Sequence, residues 1–417
     1  MFGWISLTAE QVEAENLDKR QRRVEFNFPI LTIRTQLFQG VFNKLGRFRF
    51  SRWLSWIALA IVPVVAGIGL YLLVSSLIAL LWNPAAAGAA RQVGLQGYLL
   101  LPGINPYLPI LYGWFAIVVA IAIHEGAHGV AARSLGLRVK SSGLLFFLFV
   151  PIGAFVDVDE EELKRASGRT SSRVLAAGVG ANIAVASACL IGVLLIVGGL
   201  APVIDGVYVG AVTNGLGAQK AGILPGDVLV TVDNVRINNT QDLGNLLGNL
   251  SSGDMVEVTV ARGDMWQANF STLVNLSTSE NRTVMGVSVG NLMVHQRLQT
   301  YRDVTIQTLP IYLVPPALAP GLVPFSDSLS PFYRSPLGPQ WIIYVNTLYW
   351  IWFVNVNVAV FNALPLYPLD GGRIFNITLN RLVRRKNPEK LITAITAAVS
   401  VALVLVLVLI IVLPFIL

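Results

Sequence analysis

The sequence predicts a polytopic α-helical membrane protein with a β-rich soluble domain inserted between its spans. Composition is the first observation: of 417 residues, 54% are hydrophobic and only 13% charged, beyond what an ordinary soluble domain carries. The second is segmentation, because apolar stretches long enough to cross a bilayer are flanked by clusters of Lys and Arg. The third is a change of texture over 202–290, where short alternating strands, turn residues and ordinary charge density replace the apolar runs. The formal net charge of +7 does not point to nucleic acid, since the basic residues sit beside the apolar stretches as in a positive-inside topology. The single cysteine, Cys189, excludes a disulfide framework and a cysteine-based metal cluster, and reads as small apolar filler in a helix.

Residues 1–52 form a basic segment with Lys19, Arg20, Arg22, Arg23, Arg34, Lys44, Arg47, Arg49 and Arg52, expected on the cytoplasmic side, and its polarity is unlike a cleavable signal peptide. The first part of the membrane domain, 53–200, contains spans at 53–82, 107–132 and 174–200. Between the first two lies a Gly/Ala/Pro-rich connection, read as a loop on the outer side. Between the second and third, 143–156 is too short to span, is broken by Pro151 and Gly153, and is rich in aromatic and β-branched residues. It is expected to be a hairpin dipping into the membrane, the alternative being a buried interfacial loop without a role. In 202–290, strands are expected over 207–212, 227–233 and 255–261, with a helix over 240–250 that places Leu243, Leu246, Leu247 and Leu250 on one face. Asn238, Asn249, Asn269, Asn275 and Asn281 begin Asn-x-Ser/Thr sequons, which suits an extracytoplasmic domain, although Asn376 on the opposite predicted side begins one too. Five prolines interrupt 304–325, so this apolar segment is expected to be broken or surface-lying. The second part of the membrane domain, 341–417, holds spans at 341–364 and 391–417, separated by a basic, cytoplasmic connection.

The chemistry-bearing pattern is His124-Glu125-Gly126-Ala127-His128, inside the second span. On a helix the two imidazoles project from one face and can grip one ion, while Glu125 is placed to take a proton from water. Only three histidines occur in the chain, and polar groups inside an apolar span are costly unless they have a task. The pattern points to a metal-dependent hydrolase within a bilayer. A catalytic zinc site normally takes a third protein ligand. Asp370 is the best candidate, in Asn362-Ala-Leu-Pro-Leu-Tyr-Pro-Leu-Asp-Gly-Gly372, with prolines and glycines able to unwind the backbone and turn its carboxylate inward. Alone, Asp370 would read more readily as a helix N-cap; beside the His-Glu-x-x-His pentad the ligand reading prevails. Asn182, in an apolar helix among Ala177, Gly178, Gly180 and Ala181, is either interhelical packing glue or an amide donor to a developing oxyanion. Asn355 and Asn357 are expected to face the interior of the fourth span without chemistry, and His295 to lie on the surface.

Together these motifs resemble the site-2 protease family of intramembrane zinc metalloproteases. The family's His-Glu-x-x-His falls at His124 to His128. Its later Asn-x-x-Pro-x-x-Pro-x-x-Asp-Gly element is approached by Asn362, Pro365, Pro368, Asp370 and Gly371, in the same order. Its Gly-x-x-x-Asn element is matched by Gly178 and Asn182, with Val179 where proline is usual. The soluble insert is similar to a PDZ domain through Gly217-Ala-Gln-Lys-Ala-Gly-Ile-Leu-Pro-Gly-Asp227. The resemblance implies one Zn2+ held by His124, His128 and Asp370, Glu125 as catalytic base and Asn182 as an oxyanion donor. It further implies a pre-trimmed transmembrane protein as substrate, a cell-membrane location with the active site toward the cytoplasm, and an extracytoplasmic PDZ-like domain; no nucleic-acid partner is expected. Two other readings use the same polar residues: a catalytically silent membrane scaffold, which would be marked by loss of Glu125 or a ligand, and a transporter, which would be favoured by internal repeats. Neither mark is present in the sequence. Substrate identity, activating signal and oligomeric state are not written in it.

Overall fold

The computed structural model describes residues 24–36, 38–148, 150–279, 282–305, 307–383 and 388–416. The first 23 residues of the basic segment, the Asn281 sequon and the basic cluster at 384–386 therefore lie outside the described residues.

In chain order, a hairpin of β1 (Val24–Asn27) and β2 (Ile30–Thr35) precedes α1 (Gln39–Gly46), α2 (Arg49–Trp82), α3 (Pro84–Gly97) and α4 (Ile110–Ser134). A second hairpin, β3 (Val139–Phe147) and β4 (Val150–Val158), leads through α5 (Glu160–Arg165) into α6 (Gly168–Gly198). After β5 (Ala201–Pro202) come β6 (Val207–Val212), α7 (Gly217–Lys220), β7 (Val228–Val232), β8 (Val235–Arg236), α8 (Thr240–Gly248) and β9 (Met255–Arg262). Then follow β10 (Ala268–Asn275), β11 (Ser277–Ser279), β12 (Arg282–Val284), β13 (Val287–Asn291), α9 (Val294–Arg302) and β14 (Tyr333–Arg334). The chain ends with α10 (Trp341–Ala363), α11 (Asp370–Leu382) and α12 (Glu389–Val412). It divides into two compact units, one of residues 1–191 with 347–417 and one of residues 192–346.

Among the described residues, five helices are long and apolar enough to cross a membrane: Arg49–Trp82, Ile110–Ser134, Gly168–Gly198, Trp341–Ala363 and Glu389–Phe415. Even α10, with 23 residues, extends about 35 Å at 1.5 Å per residue, more than a hydrocarbon core of about 30 Å. Large apolar side chains such as Val64, Leu72, Leu405 and Val408 remain exposed on these helices, which suits a lipid surround and hence an integral membrane protein. Where α2, α6 and α10 meet, the buried residues are small or β-branched: Ala58, Val62, Val65, Ala176, Val179, Ala359 and Ala363. Small residues let helix backbones approach closely, the usual basis of packing where no water is expelled.

Two local departures from the sequence expectations have plain causes. The connection after the first span, expected as a loop, contains α3: the Asn83 side chain accepts from the Ala85 N–H at 3.0 Å and Pro84 occupies the first helical turn, a helix start that needs no apolar periodicity. The basic segment is also more than a charged tail, because β2 pairs with β3 in register from Ile30–Phe147 to Thr35–Ser142. The result is a four-stranded sheet ordered β1-β2-β3-β4, with β4 at one edge. The helix before this sheet stops at Gly136, whose φ of +83° allows the Leu137 N–H to reach the Ala132 carbonyl at 2.9 Å, a left-handed helix termination that glycine favours.

The second unit is built on a sheet of order β10-β9-β7-β6-β13, with β8 paired to β7. Its core contains Val207, Val209, Leu229, Val258, Val260 and Val274. The expected helix runs over Thr240–Gly248, capped by Asn239 through the Asp242 N–H at 2.9 Å, with Leu243 and Leu247 buried. Asp227, almost fully buried, is gripped by Arg262 at 2.7 and 2.6 Å. The guanidinium of Arg302 on α9 donates to the carbonyls of Val197 and Gly198 at the end of α6, satisfying acceptors a helix terminus leaves open. Of the proline-interrupted segment, Leu309–Leu313 forms a 3-10 turn, and no α-helix occurs there among the described residues.

Candidate metal centre and hydrolytic site

α4 delivers His124 and His128 one turn apart, with ring centroids 4.8 Å from each other. α11 delivers the third group from far along the chain: Asp370 Oδ2 lies 3.1 Å from His124 Nε2 and 3.2 Å from His128 Nε2. Asp370 is the first residue of α11, and the N-cap, Leu369, makes no side-chain cap. The carboxylate is thus directed at the histidines instead of at its own helix end. All three side chains are largely withdrawn from solvent.

This donor set fits a tetrahedral divalent ion. With metal–ligand bonds of 2.0–2.1 Å, the edge of a tetrahedron is about 3.3 Å, close to both carboxylate–imidazole separations. His128 Nδ1 lies 2.8 Å from the Val174 carbonyl, which can only accept, so Nδ1 carries a hydrogen and Nε2 is the nitrogen turned toward Asp370, the atom that would bind an ion. His124 differs: its Nδ1 is buried without a hydrogen-bond partner, and its ring packs on Gly178 of α6. A Cβ at residue 178 would fall 2.6–2.7 Å from three atoms of the imidazole, so glycine is what admits the ring.

Glu125 belongs to the same group, its carboxylate lying within 4.8 Å of the ligand atoms of His124 and His128. Its Oε2 accepts the Val156 N–H at 3.1 Å. Oε1 makes no hydrogen bond among the described residues, which leaves one oxygen held and the other available to a proton. Beside the group opens a cavity of ≈ 210 Å³ lined in part by Glu125, His128, Asp157, Glu160, Asp370 and Arg373. Such a polar lining can hold water next to the three ligands, as hydrolysis requires. The sequence did not reveal the supporting contacts from Val156, Val174 and Gly178: two use main-chain atoms, and the third is an absent side chain.

The remaining candidates separate clearly. Asn182 lies one turn beyond Gly178 on α6, is completely buried, and neither its Oδ1 nor its Nδ2 has a partner. A buried unpartnered amide is expensive, so packing alone is a poor account of it. Asn355 and Asn357 each donate to the carbonyl four residues back at 2.8 Å, although the Oδ1 of Asn355, like the amide of Asn182, is buried without a partner. His295 is largely exposed beside Asp205 at 3.2 Å. Cys189 is buried.

Span-length apolar helices that close a His-Glu-x-x-His pentad onto a distant aspartate define a membrane-embedded, metal-dependent hydrolase. The description "Peptidase family M50" matches residues 112–407, and the chain belongs to that family, the site-2 protease family. It is 24% identical over 359 residues to an uncharacterized protein of Methanocaldococcus jannaschii, covering 85% of this chain and 79% of that one. It is 27% identical over 317 residues to a protein of Clostridium perfringens named "Putative zinc metalloprotease", covering 69% of this chain and 92% of the relative. A similarly named protein of Nostoc is 21% identical over 337 residues, covering 68% and 89%. Among solved structures, the PDZ domain of an SdrC-like protein from Listeria monocytogenes matches at 22% identity over 21% of this chain and 88% of that chain, with a TM-score of 0.19.

Proposed function

We propose that the protein is an intramembrane zinc metalloprotease that hydrolyses peptide bonds in the transmembrane segments of other proteins. The observation that carries this reading is the convergence of His124, His128 and Asp370 through one carboxylate oxygen at 3.1 and 3.2 Å, inside a unit of membrane-span helices. His124, His128 and Asp370 would hold one zinc ion, which supplies a Lewis acid for the scissile carbonyl and lowers the pKa of water to about 7.

The chain's own residues do the rest. Glu125 takes the proton of the attacking water on Oε1, its other oxygen being anchored by Val156, and then passes it to the leaving amine nitrogen. Asn182 offers its buried amide N–H to the oxygen that gains charge. Among the described residues β4 has a strand partner on one side only, and it touches Glu125 through its main chain. An unwound stretch of substrate can add to it as a further strand, with main-chain hydrogen bonds that tolerate many sequences. This agrees with a helical substrate that must lose its helix locally before attack. Basic residues flanking the spans support a site facing the cytoplasm, with the 202–290 domain, PDZ-like in its sequence, on the opposite side where it would meet substrates already trimmed there.

The test is cleavage of a single-span reporter protein by the purified protein in detergent, wild type against Glu125→Gln, with metal content determined on both. The variant is expected to retain zinc and lose at least about a hundredfold in kcat, the lower range for a general base. Cleavage at the wild-type rate by Glu125→Gln would overturn the mechanism.

A further inference from the structure

Away from the metal ligands, α2, α4 and α6 enclose a cavity of ≈ 340 Å³ walled chiefly by Ala58, Ala127, Ala131, Ala177, Ala181 and Ala184. Its lining is mostly apolar, with the hydroxyls of Ser51 and Ser55 at one end and that of Ser187 further along α6. Ser55 Oγ accepts from Arg173 Nε and Nη2 at 3.1 and 2.8 Å, and Arg173 Nη2 also donates to the Arg52 carbonyl at 2.7 Å. Arg52 in turn donates to the Ser134 carbonyl at 3.2 and 3.1 Å. Two neighbouring guanidiniums thus spend their bonds on neutral oxygens, and no carboxylate pairs with either among the described residues. Arg173 is buried, whereas Arg52 is exposed.

The surroundings set the depth of this end in a membrane. Phe48, Phe50, Trp53 and Trp56 are all exposed there, and Arg173 stacks over Trp56 at 4.5 Å. Aromatic and basic residues together mark the headgroup level, and basic pockets between spans are where anionic headgroups bind. Arg52 and Arg173 therefore stand beside the Ser51 and Ser55 end of the cavity, not in its wall, and place positive charge at headgroup depth next to an alanine-rich slot. A helix 10 Å across fills about 800 Å³ for every 10 Å of its length, too much for this cavity, whereas a single acyl chain is slender enough.

We propose that this groove binds an anionic phospholipid, with its phosphate at Arg52 and Arg173 and one acyl chain along the alanine wall. The lipid would bear on the backs of α4 and α6, since Ala127 and Ala177 adjoin His128 and Gly178 in sequence. Full-length protein purified in detergent would be equilibrated with labelled phosphatidylglycerol or phosphatidylcholine, and lipid retained per chain measured by native mass spectrometry. One phosphatidylglycerol per chain is expected, retained in clear preference to phosphatidylcholine. Arg52→Gln should weaken retention about fivefold, the share of one cation at a membrane surface. Ala184→Phe, which fills the slot from an exposed position, should abolish it, with thermal unfolding checked for both variants. Equal retention of the two lipids, retention of neither, or undiminished binding by a folded Ala184→Phe protein would overturn the proposal. A photoreactive leucine analogue at Leu54, which lines the cavity and adds no bulk, should yield a phospholipid adduct in native membranes; an adduct with a protein helix would overturn the assignment in favour of a protein occupant.

Discussion

Gly178 and Lys140 show how single residues control groups they do not resemble. At Gly178 the missing side chain is the contribution: a Cβ there would meet the His124 ring at 2.6–2.7 Å. Gly178→Ala is therefore expected to displace one ligand and lower metal affinity about 10–100-fold, the range for disturbed ligand support, while the helix persists. Metal titration with thermal unfolding as a control checks it. Outside the spans, the hydrogen bond from Lys140 holds the Asp159 carboxyl below the usual carboxylate range, helped by the N–H groups of Glu162 and Glu161 at the start of α5. Because the folded pKa is depressed, this contact supports the fold above the ordinary value of about 3.9 and is lost as pH falls through the folded value. Lys140→Met should move the titration of Asp159 upward, measurable by infrared difference spectroscopy on the carboxyl band.

At the scale of elements, β4 and the Asp227 turn are the parts whose roles can be isolated. Val156 spends its N–H on Glu125, and β4 lies at a sheet edge, so a proline there removes a contact to the proposed base without breaking a central ladder. A hydrogen bond to a charged group contributes about 1.5–3 kcal/mol, and Val156→Pro is expected to lower kcat at least tenfold with zinc content unchanged. In the β-rich unit, Arg262 binds Asp227 with two N–H groups and covers Phe270 at 4.6 Å. Arg262→Ala would leave a buried carboxylate without its partner, a loss of about 3–5 kcal/mol. Limited proteolysis of the full chain should then cut first within 202–290; wild-type resistance would show the ion pair to be dispensable.

For the whole molecule, the testable property is which membrane face each part occupies. The native thiol, Cys189, is buried, so Cys189→Ser should be tolerated and gives a background for single introduced cysteines. A cysteine replacing Gly215 in the β-rich unit is expected to react with an impermeant maleimide on intact cells. One replacing Glu160, beside the hydrolytic cavity, should react only after permeabilisation. The reverse pattern would overturn the proposed orientation while leaving the chemistry intact.

By itself the sequence determined the class of molecule and the pair of motifs, because bilayer crossing depends on length and apolarity and the pentad depends on helical spacing, both local properties. Asp370 was nameable for the same reason: a carboxylate within an apolar neighbourhood stands out. Taken alone its sequence context favoured a helix cap, and the pentad in the same chain tipped the reading to an ion ligand; packing α11 beside α4, which turns Oδ2 onto two imidazoles, supports the second. The pairing of β2 with β3, the Val156 and Val174 contacts and the groove between α2, α4 and α6 had no local signature. They are made by main-chain atoms and alanines, whose composition is ordinary and whose meaning comes only from what tertiary structure brings against them.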